Sequence, residues 1–202
     1  MKAYSVPGLS TEKDLDIIYE WATAVPINGI IVEVGSMFGR TAVAFAEGAH
    51  SSVKIYCIDY FDEYTQIRPL NSIEKRGGSD IDFWQPDKIY NKEIEFSRFT
   101  EEYKNIIPLK LDSDKKVYLY DKEPIDLLFL DCAHKNPDDI MNIVYFIKFL
   151  KYNALICGHD YYDDGSNRFS DVRRNVAALE KFYNTTVTRY ADSSMWSIRV
   201  RQ

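Results

Sequence analysis

The chain is poor in the residues that would announce several classes of protein. Among 202 residues it has three cysteines, Cys57, Cys132 and Cys157. Their number is odd and their spacing fits no zinc knuckle, so neither a disulfide framework nor a structural zinc site organises the fold. Each lies on or beside a stretch of buried-strand character and reads as a core thiol in a reducing compartment. No apolar run reaches membrane length, and the start lacks the h-region of a secreted protein. The expectation is a cytoplasmic protein with no membrane contact. Lysine and arginine do not cluster, and 25 of them against 31 acids leave a net charge of −6. That argues against a broad nucleic-acid groove, though a few basic residues can still hold a small anion. Internal repeats and low-complexity tracts are also absent.

What is present is an alternation of strands and helices in one domain, 1–202. An extended arm, 1–10, precedes a helix over 11–24. Thr11 caps that helix with Asp14 reaching back, and Leu15, Ile18, Trp21 and Ala22 form its apolar stripe. Ile30–Val34 reads as a central parallel strand, apolar on both faces except at Glu33. A helix at 39–49 and a strand at 54–59 follow, implying a right-handed crossover. Residues 61–96 break the rhythm with RGGSD at 76–80, Pro69, Pro86 and the aromatics Phe61, Tyr64, Phe83, Trp84 and Tyr90. An insertion this long reads as a lid or binding segment. Further on, the pattern predicts a helix near 97–104, a strand at 106–110, a short helix at 114–120 and a strand at 125–130. Asn136 and Pro137 start a helix with Ile140, Ile143, Val144 and Ile147 on its apolar face. A strand at 154–158 precedes a helix at 168–182 that buries Phe169, Val172, Val176 and Leu179. Two period-two segments, 185–190 and 195–200, read as an antiparallel edge hairpin. The helices 11–24 and 168–182, with that hairpin, can support a homodimer or simple intrachain packing.

The polar residues gather at the strand ends. Gly35 permits a tight turn, and Gly39 opens a helix whose first N–H groups can meet a polar ligand. A dinucleotide fingerprint would place glycines at 35, 37 and 40, where this chain has Gly35, Met37 and Arg40. Glu33 inside an apolar strand costs several kcal/mol unless paired. It faces a cofactor amine or a basic group, or it lies nearer the strand tip. Asp59 ends the neighbouring strand, 24 residues after Gly35, where a carboxylate can accept both hydroxyls of a ribose. Ser36 and Tyr60 flank those two positions. Asp112 and Ser113 can meet an adenine edge or serve as an ordinary cap.

Asp131, His134, His159 and Asp160 make the sharpest constellation. They follow two strands that should be neighbours. Asp131 and Asp160 can share a hard divalent cation, and His134 can act as general base. His159 can be a ligand, a second base or an orienter of a carboxylate. Arg168, Arg173 and Arg174 either reach a substrate anion or form a solvated helix face.

Taken together, EVGSMFGRTA at 33–42, CIDYFD at 57–62, KLDSDK at 110–115 and the block LLFLDCAHKNPDDIMNIVYFIKFLKYNALICGHDYY at 127–162 resemble the class I S-adenosylmethionine-dependent methyltransferases. Within them the chain looks like the small branch related to cephalosporin hydroxylase-like and macrolide O-methyltransferase enzymes. The resemblance implies a Rossmann-like three-layer α/β sandwich with a seven-stranded, mostly parallel sheet and an antiparallel C-terminal strand. It implies cofactor contacts from Glu33, Gly35, Ser36, Gly39, Asp59, Tyr60, Asp112, Ser113 and Asp131. In metal-dependent relatives magnesium sits at the positions matching Asp131, His159 and Asp160, and a lysine base stands where this chain has His134. Cys132 and His159 depart from the family pattern. The resulting expectation is O-methylation of a small-molecule or sugar hydroxyl with Asp131 and His134 as catalytic residues and magnesium assisting. An NAD-dependent oxidoreductase and a non-catalytic cofactor- or glycan-binding protein are the alternatives.

Overall fold

The structure is a computed structural model and describes residues 1–65, 83, 85, 87–111, 120, 123–132, 134, 136–162 and 169–200. Seven strands form one sheet. In chain order they are β1 (Ile30–Val34), β2 (Lys54–Asp59), β5 (Ile106–Lys110), β6 (Ile125–Leu130), β7 (Leu150–Gly158), β8 (Thr188–Arg189) and β9 (Trp196–Arg199). Their spatial order is β5-β2-β1-β6-β7-β9-β8. The first five are parallel, β9 runs antiparallel to β7, and β8 pairs antiparallel with β9 at the edge. The mostly parallel α/β sandwich with antiparallel C-terminal strands is therefore the fold that the sequence implies. The order reverses between β1 and β6, and such a switch point leaves a crevice beyond the strand ends.

Strand alternation divides the core. Ile31, Ile55, Leu127, Phe129 and Leu155 face α1 (Glu12–Thr23) and α2 (Arg40–Gly48). Ile30, Val32, Val34, Ile58, Leu128 and Ile156 face α4 (Asp138–Ile147) and α5 (Ser170–Tyr183). Glu33 shares the parity of Ile31, so period two turns it toward α2. Among the described residues no helix is long and apolar enough to cross a membrane.

The α1 capping box is formed as expected, with Asp14 N donating to Thr11 Oγ1 and Asp14 Oδ2 accepting from Thr11 N. Three boundaries or faces differ from the sequence reading. The third helix, α3 (Lys92–Thr100), starts five residues earlier than 97 because the Asn91 side chain accepts from Ile94 N at 3.0 Å and ends the insertion there. On α4 the inward positions are Ile143 and Phe146, while Val144 is 58% exposed. Phe169 does not lie inside α5; it is the N-cap, with φ +47°, and packs on His134 instead. Residues 66–82, including RGGSD, and the helix expected at 114–120 lie outside the described residues or nearly so. The insertion's described ends form a hairpin, β3 (Glu63–Thr65) with β4 (Ile89–Asn91). Tyr64, Phe83 and Tyr90 pack around Phe38, at 5.5 to 6.0 Å between ring centroids. These aromatics build a small core of their own.

The N-terminal arm is held by one buried side chain. Arg40, at the start of α2, donates to the carbonyls of Ala3, Tyr4, Val6 and Ser10. A charge-assisted donor set of this kind replaces the water those carbonyls lose on burial. Arg40→Met removes it while keeping the alkyl stem. The expected loss is on the order of 2–4 kcal/mol in urea unfolding, with faster amide exchange confined first to residues 1–10.

Candidate functional site

A cavity of about 400 Å³ opens at the switch point. Its wall includes Gly35, Ser36, Asp59, Asp131, His134, His159 and Asp160. The three acid-tipped strands thus converge on one cleft with the glycine turn. Its size is that of a small-molecule site, large enough for a nucleoside-sized group. Pro7–Ser10, Met37, Phe38, Arg40, Thr41, Tyr162 and Phe169 complete the wall. The arm segment was not singled out in the sequence; its only signal was Arg40 standing where a fingerprint glycine would be.

The glycine turn is built by close approach. Gly35 has φ +93°, and its N–H donates to the Ile58 carbonyl at 2.8 Å. A Cβ there would lie 2.0 Å from the Asp131 carbonyl oxygen, so only glycine fits. Gly39 also has a positive φ, +90°, but it does not line the cavity. A side chain there would strike Thr100 and Phe96 of α3, so helix packing also requires a glycine here.

Asp59 is held by four donors. Its Oδ2 accepts from the N–H groups of Ser36 (2.9 Å) and Met37 (3.0 Å). Its Oδ1 accepts from Phe61 N (3.0 Å) and Lys92 Nζ (3.1 Å). Lys92 also pairs with Asp62. Burial opposes the lysine's charge, but the two carboxylates hold its pKa above the ordinary value. Tyr60 lies outside the cavity wall and is 40% exposed.

Glu33 is fully buried, and the structure pairs it with hydroxyls rather than a cation. Ser36 Oγ donates to it at 2.6 Å, and Thr41 Oγ1 donates from α2. Burial raises its pKa to about 7, against the opposing pull of those hydroxyls. It supports the turn from beneath and does not itself reach the cavity wall. Asp112 and Ser113 lie outside the described residues.

Beyond β6 and β7, the acids and histidines interlock. His134 Nε2 lies 3.1 Å from Asp160 Oδ2 and 3.9 Å from Asp131 Oδ1. Both His134 and Asp160 adopt left-handed backbone, φ +52° and +61°, conformations that concentrate at functional sites. The His134 ring packs on Phe169 with centroids 4.7 Å apart. His159 Nδ1 lies 3.4 Å from Asp160 Oδ1. Its Nε2 meets Ser194 Oγ at 2.9 Å and Asp14 Oδ2 at 3.5 Å. Burial would favour neutral His159, but Asp14 and Asp160 outweigh it and hold the ring's pKa well above its usual value. Asp14 in turn is kept well below the carboxylate range, against its burial, chiefly by His159. Burial pushes Asp131 up; His159 opposes this, and the nearby Asp160 charge adds to it. Burial acts the same way on Asp160, but His159 holds it below its ordinary value.

This arrangement bears on the expected metal set. His159 is engaged at both ring nitrogens, with Nδ1 near Asp160 and Nε2 at Ser194 and Asp14, an arrangement that orients Asp160. The donors that come within 4.8 Å of one another are Asp131, His134 and Asp160. An imidazole in that trio suits transition metals better than magnesium, which takes oxygen ligands. The donor chemistry therefore does not fit a magnesium centre. Arg174 pairs with Asp171 on the exposed face of α5.

The profile of the methyltransferase-domain family matches residues 32–161, well over half the chain. Comparison with curated proteins gives no match. Among solved structures, the chain is similar to an O-methyltransferase from Bacillus cereus in complex with SAH. Identity is 15%, the TM-score is 0.60, and the match covers 97% of this chain and 84% of that one. It is similar to a SAM-dependent methyltransferase from Aquifex aeolicus (13% identity, TM-score 0.58, coverage 95% and 89%). It is also similar to a Staphylococcus aureus protein provisionally named a caffeoyl-CoA O-methyltransferase (13% identity, TM-score 0.65, coverage 96% and 86%). At these identities the likeness is one of fold.

Glu33 provides a test of the turn's electrostatics. Its folded pKa of about 7 lies above the ordinary 4.5, so the native state binds the extra proton between those values. Stability therefore falls as pH rises through that window, by up to about 3 kcal/mol from this group. Glu33→Gln keeps the shape without the charge. Urea midpoints measured near pH 5 and near pH 8 should converge in the variant and differ in the wild type. Equal slopes in both would show that Glu33 carries no such proton.

Proposed function

The chain belongs to the methyltransferase-domain family, and from that premise we propose that it transfers a methyl group to a hydroxyl of a small molecule or sugar. Its fold is that of the class I S-adenosylmethionine-dependent methyltransferases, and S-adenosylmethionine is its cofactor. The block at 127–162 supports the finer placement beside the cephalosporin hydroxylase-like and macrolide O-methyltransferase branch.

The observation that carries the reaction is the His134–Asp160 pair, 3.1 Å apart on the wall of the cavity that also holds Gly35 and Asp59. With Nε2–H directed at Asp160, Nδ1 is the ring nitrogen left to accept a proton. His134 then takes the acceptor hydroxyl's proton at Nδ1, and Asp160 stabilises the imidazolium that results. His159 holds Asp160 from the other side, so the carboxylate is oriented from both ends. The bound cofactor supplies an electrophilic methyl on a sulfonium. Gly35 and Ser36 would frame it, and Asp59 would accept from its ribose. Asp112 and Ser113 are proposed at the adenine edge. In-line displacement needs little covalent help, so positioning and exclusion of water are the chain's main contributions. Asp131, on the same wall, stands beside the acceptor site.

A cation held by Asp131, Asp160 and His134 is the second reading, favoured by the closeness of their donor atoms. It removes His134 as a base, and its donors suit manganese, cobalt or zinc better than magnesium.

Methyl transfer is assayed on a panel of sugars, phenols and hydroxy acids, with and without chelator and added magnesium. The expected result is activity indifferent to magnesium and to chelation. His134→Ala should lower kcat by about a hundred- to ten-thousandfold with S-adenosylhomocysteine binding retained. Full activity in both Asp131→Ala and His134→Ala would overturn the mechanism. Thermal stabilisation by NADH but not by S-adenosylhomocysteine would favour the oxidoreductase alternative. Cofactor binding without methyl transfer to any acceptor would favour the non-catalytic one.

A further inference from the structure

We propose that Lys92 sets the cofactor affinity by occupying the last acceptor position of Asp59, and that it yields that position to the cofactor's ribose by shifting onto Asp62. This rests on the reading of Asp59 as the ribose-binding acid.

An ionised carboxylate offers about four lone-pair sites. At Asp59, four donors among the described residues fill them: the N–H groups of Ser36, Met37 and Phe61, and the ammonium of Lys92. A ribose diol therefore cannot bind Asp59 without displacing a donor. Three of the four are main-chain groups fixed by the glycine turn and by the backbone that follows β2. Only Lys92 stands on a flexible stem, and only Lys92 has a second carboxylate already in contact. The Asp59 and Lys92 side chains are 10% and 15% exposed, whereas Asp62 is 62% exposed. Shifting from Asp59 to Asp62 moves the ammonium toward water, which lowers the cost of breaking the inner contact. Without Lys92 the carboxylate is still oriented by three N–H groups, so the lysine is not needed to aim it. Its effect is competition for the acceptor, and the sign of its removal is therefore opposite to that of an ordinary support.

The same device reaches the insertion. Lys92 is the first residue of α3 and follows β4 directly, while Asp62 precedes β3. Lys92 and Asp62 thus stand at the two roots of the β3–β4 hairpin, which packs on Phe38 of the cavity wall. Cofactor arrival and hairpin position become linked through one ammonium group.

The test is calorimetry of the full chain with S-adenosylhomocysteine. Lys92→Met should bind it roughly three- to tenfold more tightly than the wild type. Asp62→Asn, which removes the lysine's alternative seat, should bind it more weakly. In the Lys92→Met background the Asp62→Asn change should have no effect, since the cycle reports only their coupling. Thermal melts check that each variant is folded. A Lys92→Met that binds with unchanged or weaker affinity overturns the proposal while leaving the cofactor reading intact. A Lys92→Met that fails to fold leaves the decision to Asp62→Asn, where unchanged or tighter binding overturns it. A wild type that does not bind S-adenosylhomocysteine overturns the cofactor reading itself, and this inference with it.

Discussion

Where β1 and β6 end, the backbone of Gly35 lies against the carbonyl of Asp131, so closely that a Cβ would sit 2.0 Å from that oxygen. Just below, Asp131 N donates to the Val34 carbonyl at 2.9 Å, the last rung between the two strands. The strands are thus held together to their tips and part only beyond them. Gly35 turns one chain away at φ +93°, and the space left between the turn and the β6 tip is the cavity. Any larger residue would push Asp131 outward and carry His134 and its partner Asp160 out of register. The steric constraint is local, but the positions of the turn amides, Asp59 and Asp131 all follow from it.

The second constraint is charge. Burying carboxylates is costly unless each finds a partner. Here two histidines serve three acids, and His159 is the hub. It touches Asp14 and Ser194 with one nitrogen and Asp160 with the other. This hub also ties α1 to the tip of β7, because Asp14 is at once the capping-box acid of α1 and a partner of His159. The arm preceding α1 completes the cavity wall, pinned by Arg40. Helix start, arm and strand tips therefore form one polar frame around the cleft.

Much of the frame was legible in the sequence because it depends on short-range rules. Period two placed Glu33 among apolar neighbours, the Thr11–Asp14 spacing announced a cap, and the acids after β2, β6 and β7 marked the strand ends. What escaped the reading depends on long-range partners. Asp14 read as a cap and nothing more, since its contact with His159 spans most of the chain. Arg40 counted only as a missing glycine, because nothing local reveals that it grips the arm. Gly39 read as the opening of a helix that can meet a ligand, and nothing local showed that Thr100 and Phe96 also require its bare face. Val144 matched the helical period but points outward, since α4 is rotated to bury Ile143 and Phe146. His159 read as a ligand, a second base or an orienter of a carboxylate, and nothing local revealed its contacts with Asp14 on α1 and Ser194 before β9.

The three strand-tip aspartates show how one side chain acquires three characters. Asp59 is surrounded by three N–H donors and an ammonium, so each of its described contacts is with a donor. Asp160 leans on two imidazoles, one on each oxygen, so it can share a proton's charge without taking the proton. Among the described residues Asp131 has longer contacts to those same rings, 3.9 Å each, and burial pushes its pKa up. The ordering follows the supply of donors, richest beside the glycine turn and poorest at β6. On the proposed reading such a cleft has a hydroxyl-binding end at Asp59 and a proton-accepting end at His134, with Asp131, whose charge burial disfavours, on the same wall. That gradient suits a reaction in which one partner must be held by its hydroxyls while another gives one proton away.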